Sequence, residues 1–245
     1  DVTYIARERT VGVLQQTGLT VDMMQETLHL PDVSATTDPS TVGPVDVIIF
    51  ATKLYDVDDA ARAMAPMIGP ETHVLSLQNG VYTEELLAEL YGAGHVWGAQ
   101  SMLPAQVVAP GHVRQIASID RLEFGRLDNV QDAAITGFRD RLEQAGVWAL
   151  LAENTLECLW RKFVMVGSYA AVSTLVRARL GKVRSCPESW QLYRELMQEA
   201  FAVGQAKDED PFSSVRSADF RRCKQSERAA ETASFQVLKD LIETE

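Results

Sequence analysis

The stretch "PVDVIIFATK", Pro44–Lys53, decides the fold of this 245-residue chain. Its centre, Val47 to Phe50, is β-branched and aromatic, without the alternation of a half-buried strand. Such a run predicts a strand buried on both faces of a parallel sheet. The segment "DVDDAARAMAPMIG" follows, with acidic residues at its start and Ala60, Ala63, Met64, Met67 and Ile68 at helical spacing. "THVLSLQNG", Thr72–Gly80, predicts a second buried strand. "YTEELLAELYG" predicts a helix with an acidic first turn that stops at Gly92, and "HVWGAQSML" a third strand. This β-α-β-α-β alternation implies a parallel sheet with right-handed crossovers.

Working outward, "VTYIA" (Val2–Ala6) predicts a short strand that ends at Arg7. A short helix around Val11–Gln16 is capped by Gly18. Short strands are expected in "LTV", "ETLHLPDVSATTD", "HVRQIAS" and "RLEFGR", then a helix in "AAITGFRDRLEQAG" and a strand in "VWALLA". Beyond Asn154 the pattern turns helical: Leu156–Arg179, Pro187–Lys207, and a last apolar helix near Phe235–Ile242. The change places a domain boundary near residues 150–156, giving an α/β domain over 1–152 and an all-α domain over 153–245.

Composition narrows the classes. The chain is 46% hydrophobic and 23% charged, an ordinary globular balance. Its net charge of −11 argues against a nucleic-acid partner, since phosphate binding calls for basic surface. Apolar runs fall short of the roughly 20 residues that span a bilayer, so no membrane partner is expected. Cys158, Cys186 and Cys223 lack paired or metal-ligand spacing. They are read as reduced thiols in a cytoplasmic protein, with no metal site.

In an open α/β sheet, ligands bind beyond the carboxyl ends of the strands. Arg7, Lys53 and Gln78-Asn79-Gly80 occupy those ends. Arg7, with Arg9 beside it, suits the 2′-phosphate of a dinucleotide ribose. Lys53 can reach a phosphate or carboxylate. The Asn79 amide can contact substrate and cofactor together. Lys162 shares one helical face with Val166, Tyr169, Ala170 and Ser173, just before a charge-free run from Phe163 to Val176. A partly desolvated ammonium there suits general-acid work. Each residue also has a plainer reading. Arg7 can be a solvated arginine, Lys53 a lysine snorkelling to water, Asn79-Gly80 a turn, and Lys162 a lysine at a helix start with its head in water.

At "DVIIFATKLYDVDDAAR", "VLSLQNGVYTEELLAEL" and "LWRKFVMVGSYAAVSTLVRARLG" the sequence resembles the ketopantoate reductase (2-dehydropantoate 2-reductase) family, over roughly residues 1 to 205. The resemblance implies a Rossmann-like domain followed by a helical substrate and dimerisation domain. It implies NADPH-dependent reduction of a 2-keto acid, ketopantoate to pantoate, on the route to coenzyme A. A homodimer is compatible with it. By position, Arg7 matches the family's arginine for the 2′-phosphate and Lys53 its cofactor-contacting lysine. Asn79 matches the asparagine bridging cofactor and substrate, and Lys162 the catalytic general acid. Three departures accompany these matches. The G-x-G-x-x-G loop does not occur in the chain, so a first βα unit of about 30 residues is expected to be missing from its start. The family's substrate asparagines fall at Val166 and Ala170, which suits a more apolar keto acid. The tail from Asp208 onward does not resemble the family's last helices, and Ser213, Ser214 and Glu227 match its serine and glutamate by type only. An altered reading frame is one reading of that tail. An inactive remnant that only binds or dimerises is a third reading of the whole.

Overall fold

The computed structural model describes residues 1–207. The helix expected near Phe235–Ile242, and Ser213, Ser214, Cys223 and Glu227, lie outside the described residues. The chain divides into two compact units. The first holds residues 1–78 and 83–151; the second holds 79–82 together with 152 onward.

The first unit is built on a five-stranded sheet. Its strands are β5 (Val47–Phe50), β6 (His73–Ser76), β7 (Val96–Met102), β10 (Arg121–Arg126) and β11 (Trp148–Leu151), in the order β11-β10-β7-β6-β5. The expected parallel run is present: β5, β6 and β7 are mutually parallel, with Val47 opposite His73 and Val74 opposite Val96. β10 then joins β7 antiparallel, and β11 lies parallel to β10. Alternation of side chains across the pleat sends neighbouring residues into different layers. Val74 and Val96 pack with Val57 and Ala61 of α2 (Val57–Ala63) and Leu86 and Leu87 of α3 (Thr83–Tyr91). Leu75 and Trp97 go to the opposite layer with Ile135 of α4 (Ala133–Gln144). β5 departs from expectation. Ile48 and Phe50 are buried, but Ile49 on the other face is 56% exposed. As the last strand of this sheet, β5 is covered on one face, so its apolar run overstated its burial.

Two smaller sheets complete the unit. β1 (Thr3–Ile5) pairs in parallel with β4 (Ser34–Thr36). The other sheet runs β3 (Thr27–Leu30), β2 (Leu19–Asp22), β9 (His112–Gln115), β8 (Ala105–Ala109). α1 spans Glu8–Thr17 and ends at Gly18, which has φ 72°. A Cβ at Gly18 would sit 2.0 Å from the carbonyl oxygen of Leu30.

The second unit is helical, with α5 (Thr155–Val176), α6 (Leu180–Ser185) and α7 (Pro187–Ala206). Asn154 caps α5 by accepting from the Glu157 amide at 3.0 Å. The helix stops before the expected Arg179 because Arg177 adopts a left-handed conformation, φ 50°, and the Ala178 amide closes onto the Ser173 carbonyl. Trp160, Val164 and Val172 of α5 pack with Val183, Tyr193, Met197 and Phe201. Among the described residues no helix is long and apolar enough to cross a membrane.

Candidate functional site

The first unit carries its candidates on two strand-end loops. Arg7 follows β1 after Ala6 and leads into α1. Its Nη2 donates to an Asp56 carboxylate oxygen at 2.7 Å, with the arginine side chain 80% exposed. Lys53 follows β5 after Ala51 and Thr52, and precedes a short 3-10 turn over Leu54–Asp56. The Asp56 amide donates to the Lys53 carbonyl at 2.9 Å. The Arg7–Asp56 pair therefore brings the Lys53 loop to the end of β1. Asp56 stands at the start of α2, a position where aspartate often caps a helix, yet its side chain makes no capping bond there. Its partner lies 49 positions away, beyond the reach of local capping rules.

The end of β6 is held by Gln78, which is 6% exposed. Its Oε1 accepts from Ser76 Oγ at 3.0 Å, and its Nε2 donates to the Thr52 carbonyl at 3.2 Å. Asn79, next along, is exposed, and Gly80 turns with φ 106°, which fits the turn reading of Asn-Gly as well.

The second unit holds the other two candidates. Residues 79–82 belong to it although they lie in sequence between β6 and α3. Val81 packs against the cluster that contains Trp160 and Val164. Asn79 and Lys162 are thus members of one compact body. Lys162 lies two turns into α5 and is 9% exposed, so a lysine whose head stands in water at a helix start does not describe it. Arg161 beside it pairs back to Glu157 at 3.2 Å. Further along the same face, Val166, Tyr169 and Ser173 are half-buried and Ala170 is exposed.

The donor set at the ends of β1 and β5, Arg7, Arg9 and Lys53, is cationic and exposed, which fits the phosphate-bearing adenosine end of a dinucleotide. Elsewhere Arg126 donates to Asp128 and to Asp132, each at 2.7 Å, and Asp132 caps α4 through the Ala134 and Ile135 amides. The Arg126 guanidinium holds the Asp128 carboxyl down at about 2. That cluster fixes the start of α4 and needs no ligand. Among the described residues no group of three His, Cys, Asp or Glu could hold a metal ion.

A largely parallel sheet wound with helices and a following helical unit define the class by architecture: a Rossmann-like domain with a helical second domain. The chain belongs to the ketopantoate reductase PanE/ApbA family, whose N-terminal model matches residues 1–129 and whose C-terminal model matches residues 154–241. The second match runs past residue 205, where the sequence reading ended the resemblance, so the tail is family-like through most of its length. The chain is 26% identical over 212 residues to a 2-dehydropantoate 2-reductase of a Nostoc species, covering 82% of this chain and 64% of that protein. It is 23% identical over 159 residues to the Aquifex aeolicus 2-dehydropantoate 2-reductase, covering 64% of this chain and 51% of that protein. The chain thus spans between about half and two thirds of the length of these curated relatives. A solved PanE/ApbA family ketopantoate reductase from Ralstonia eutropha superposes with a TM-score of 0.75 at 27% identity, over 99% of this chain and 82% of that one. The fold is shared as well with D-mandelate dehydrogenase, with a TM-score of 0.77 at 17% identity, over 98% of this chain and 72% of that one.

Proposed function

We propose that this chain carries the proton donor and the phosphate-binding cations of an NADPH-dependent 2-keto acid reductase of the ketopantoate-to-pantoate type. The observation that carries the reading is a buried lysine, Lys162, in the same compact unit as Asn79. NADPH, when bound, supplies a hydride to the carbonyl carbon of the keto acid. The chain's own residues do the rest. Arg7 contacts the 2′-phosphate and Lys53 a second anionic group of the cofactor. Asn79 donates its amide to an oxygen of the substrate and fixes its orientation. The Lys162 ammonium gives a proton to the carbonyl oxygen, and its charge favours the alkoxide as that charge develops. The burial of Lys162 supports this role, because a hydrogen bond or charge acts more strongly where water is excluded. A homodimer belongs to the proposal, and sedimentation of the protein tests it.

The test is NADPH oxidation by the protein with a panel of 2-keto acids that includes ketopantoate. Saturable turnover is expected. No NADPH binding, together with no turnover of any keto acid, overturns the reading. Val166 and Ala170 favour a second reading within the same chemistry. They present apolar surface where the family resemblance implies amides, so a keto acid with a more apolar side chain would be preferred. The same panel separates the two by the ratio of their kcat/KM values.

A further inference from the structure

We infer that Gln78 is a positioning residue that clips the Lys53 loop to the strand end carrying Asn79. The inference rests on the reductase reading, since it acts through Lys53, which that reading uses. The backbone ladder between β5 and β6 ends at Phe50 opposite Ser76, with the Leu77 amide donating to the Phe50 carbonyl at 3.0 Å. Past that point the Gln78 side chain continues the link. Its amide nitrogen donates to the Thr52 carbonyl at 3.2 Å and approaches Thr52 Oγ1 at 3.4 Å, while its oxygen accepts from Ser76 Oγ at 3.0 Å. Thr52 immediately precedes Lys53, and Asn79 immediately follows Gln78. One buried carboxamide therefore ties the Lys53 loop to the end of β6, one residue before Asn79 in sequence.

Burying a polar side chain is costly unless both of its ends find partners. Leucine or methionine would fill the same volume without that cost. A glutamine here supplies what they cannot: a donor to a backbone carbonyl outside the ladder and an acceptor for Ser76. A free Lys53 loop would have to be ordered when the cofactor binds, at a cost in affinity that a pre-fixed loop avoids.

The test uses Gln78→Met, which keeps the length and deletes both hydrogen-bonding ends. Gln78→Glu serves as the second variant, keeping an acceptor for Ser76 while removing the donor to Thr52. Two readouts are needed. Amide hydrogen exchange is followed in residues 51–56, with α4 and α7 as internal references. Steady-state kinetics are measured with NADPH and ketopantoate. In Gln78→Met, exchange is expected to rise about tenfold in residues 51–56, on the scale of one lost hydrogen bond, with the references unchanged. KM for NADPH should rise about tenfold while kcat falls less. Gln78→Glu should recover part of the wild-type KM as the pH is lowered, because a protonated carboxyl again offers a donor to Thr52. Unchanged exchange at 51–56, or a fall in kcat at constant KM, overturns the inference, since a merely structural role would only reduce the active fraction. If Gln78→Met does not fold, Gln78→Glu decides by the same two readouts. A wild-type protein that neither binds nor oxidises NADPH overturns the reductase reading and the positioning role with it, while the exchange data still show whether the clip exists.

Discussion

Arg7→Ala is expected to separate cofactor recognition from stability. The arginine side chain is 80% exposed, and its Asp56 partner is 40% exposed at 2.7 Å. An ion pair so open to water contributes roughly 0–1 kcal/mol. Removing it should therefore change folding stability by no more than about 1 kcal/mol. Its effect on NADPH should be larger. A charge-assisted hydrogen bond to a phosphate oxygen contributes about 1.5–3 kcal/mol. Asp56 already occupies part of the guanidinium and places a carboxylate beside it, so the lower end applies, or about a tenfold loss of NADPH affinity. NADH has no 2′-phosphate and should bind the variant as it binds the wild type. Asp56→Asn should act in the opposite sense, tightening NADPH a few-fold, with an advantage that fades as salt screens the exposed charges. Calorimetric titration of both nucleotides into the three proteins reads all of this. Equal weakening of NADPH and NADH by Arg7→Ala, or no weakening of either, would refute the assignment of Arg7 to the 2′-phosphate.

Asn154→Ala should lower stability by about 1 kcal/mol by removing the cap of α5, a shift of about 2–4 °C in Tm, and Asn154→Asp should not. Gly18→Ala should cost about 1–3 kcal/mol or more, because φ 72° is strained for alanine and the new Cβ would press on the Leu30 carbonyl; an unchanged Tm would contradict the geometry. The Asp128 carboxyl titrates at about 2 in the folded chain, below its unfolded value of about 3.9. Its contribution is therefore complete above about pH 4 and is lost as the pH falls toward 2. Asp132 is shifted the same way, chiefly by the Ile135 amide. Urea unfolding across that window should show the loss, and Asp128→Asn should flatten the slope. Val166→Asn with Ala170→Asn should raise kcat/KM for ketopantoate relative to an apolar keto acid by roughly tenfold or more, and no change in that ratio would remove both positions from the substrate pocket.

The parts of the fold legible in the sequence were those whose burial is continuous. β6 has Val74, Leu75 and Ser76 fully enclosed, and the sequence reads it directly. α3, α5 and α7 carried apolar spacing together with recognisable stops or starts. The outer position of β5 was not legible, because Ile49 belongs to the same apolar run as Ile48 and Phe50 whichever face is covered. β8 was not anticipated at all: Ala105–Ala109 is exposed throughout and is held by its pairing with β9. At the candidate site, residue types at strand ends were readable from topology. What escaped was every relation set by long-range packing. Asp56 turns to Arg7, Gln78 reaches back to Thr52, and residues 79–82 join the helical unit. The depth of Lys162 was only conditional in the sequence, since a lysine before an apolar run fits a solvated helix start equally well.

The central claim is that Lys162 donates the proton in NADPH-dependent keto acid reduction. Steady-state turnover of Lys162→Ala beside the wild type, together with NADPH affinity measured directly on both, tests it. The account predicts that kcat falls by about 10²–10⁴-fold while NADPH affinity stays near the wild-type value. Turnover close to that of the wild type would contradict it.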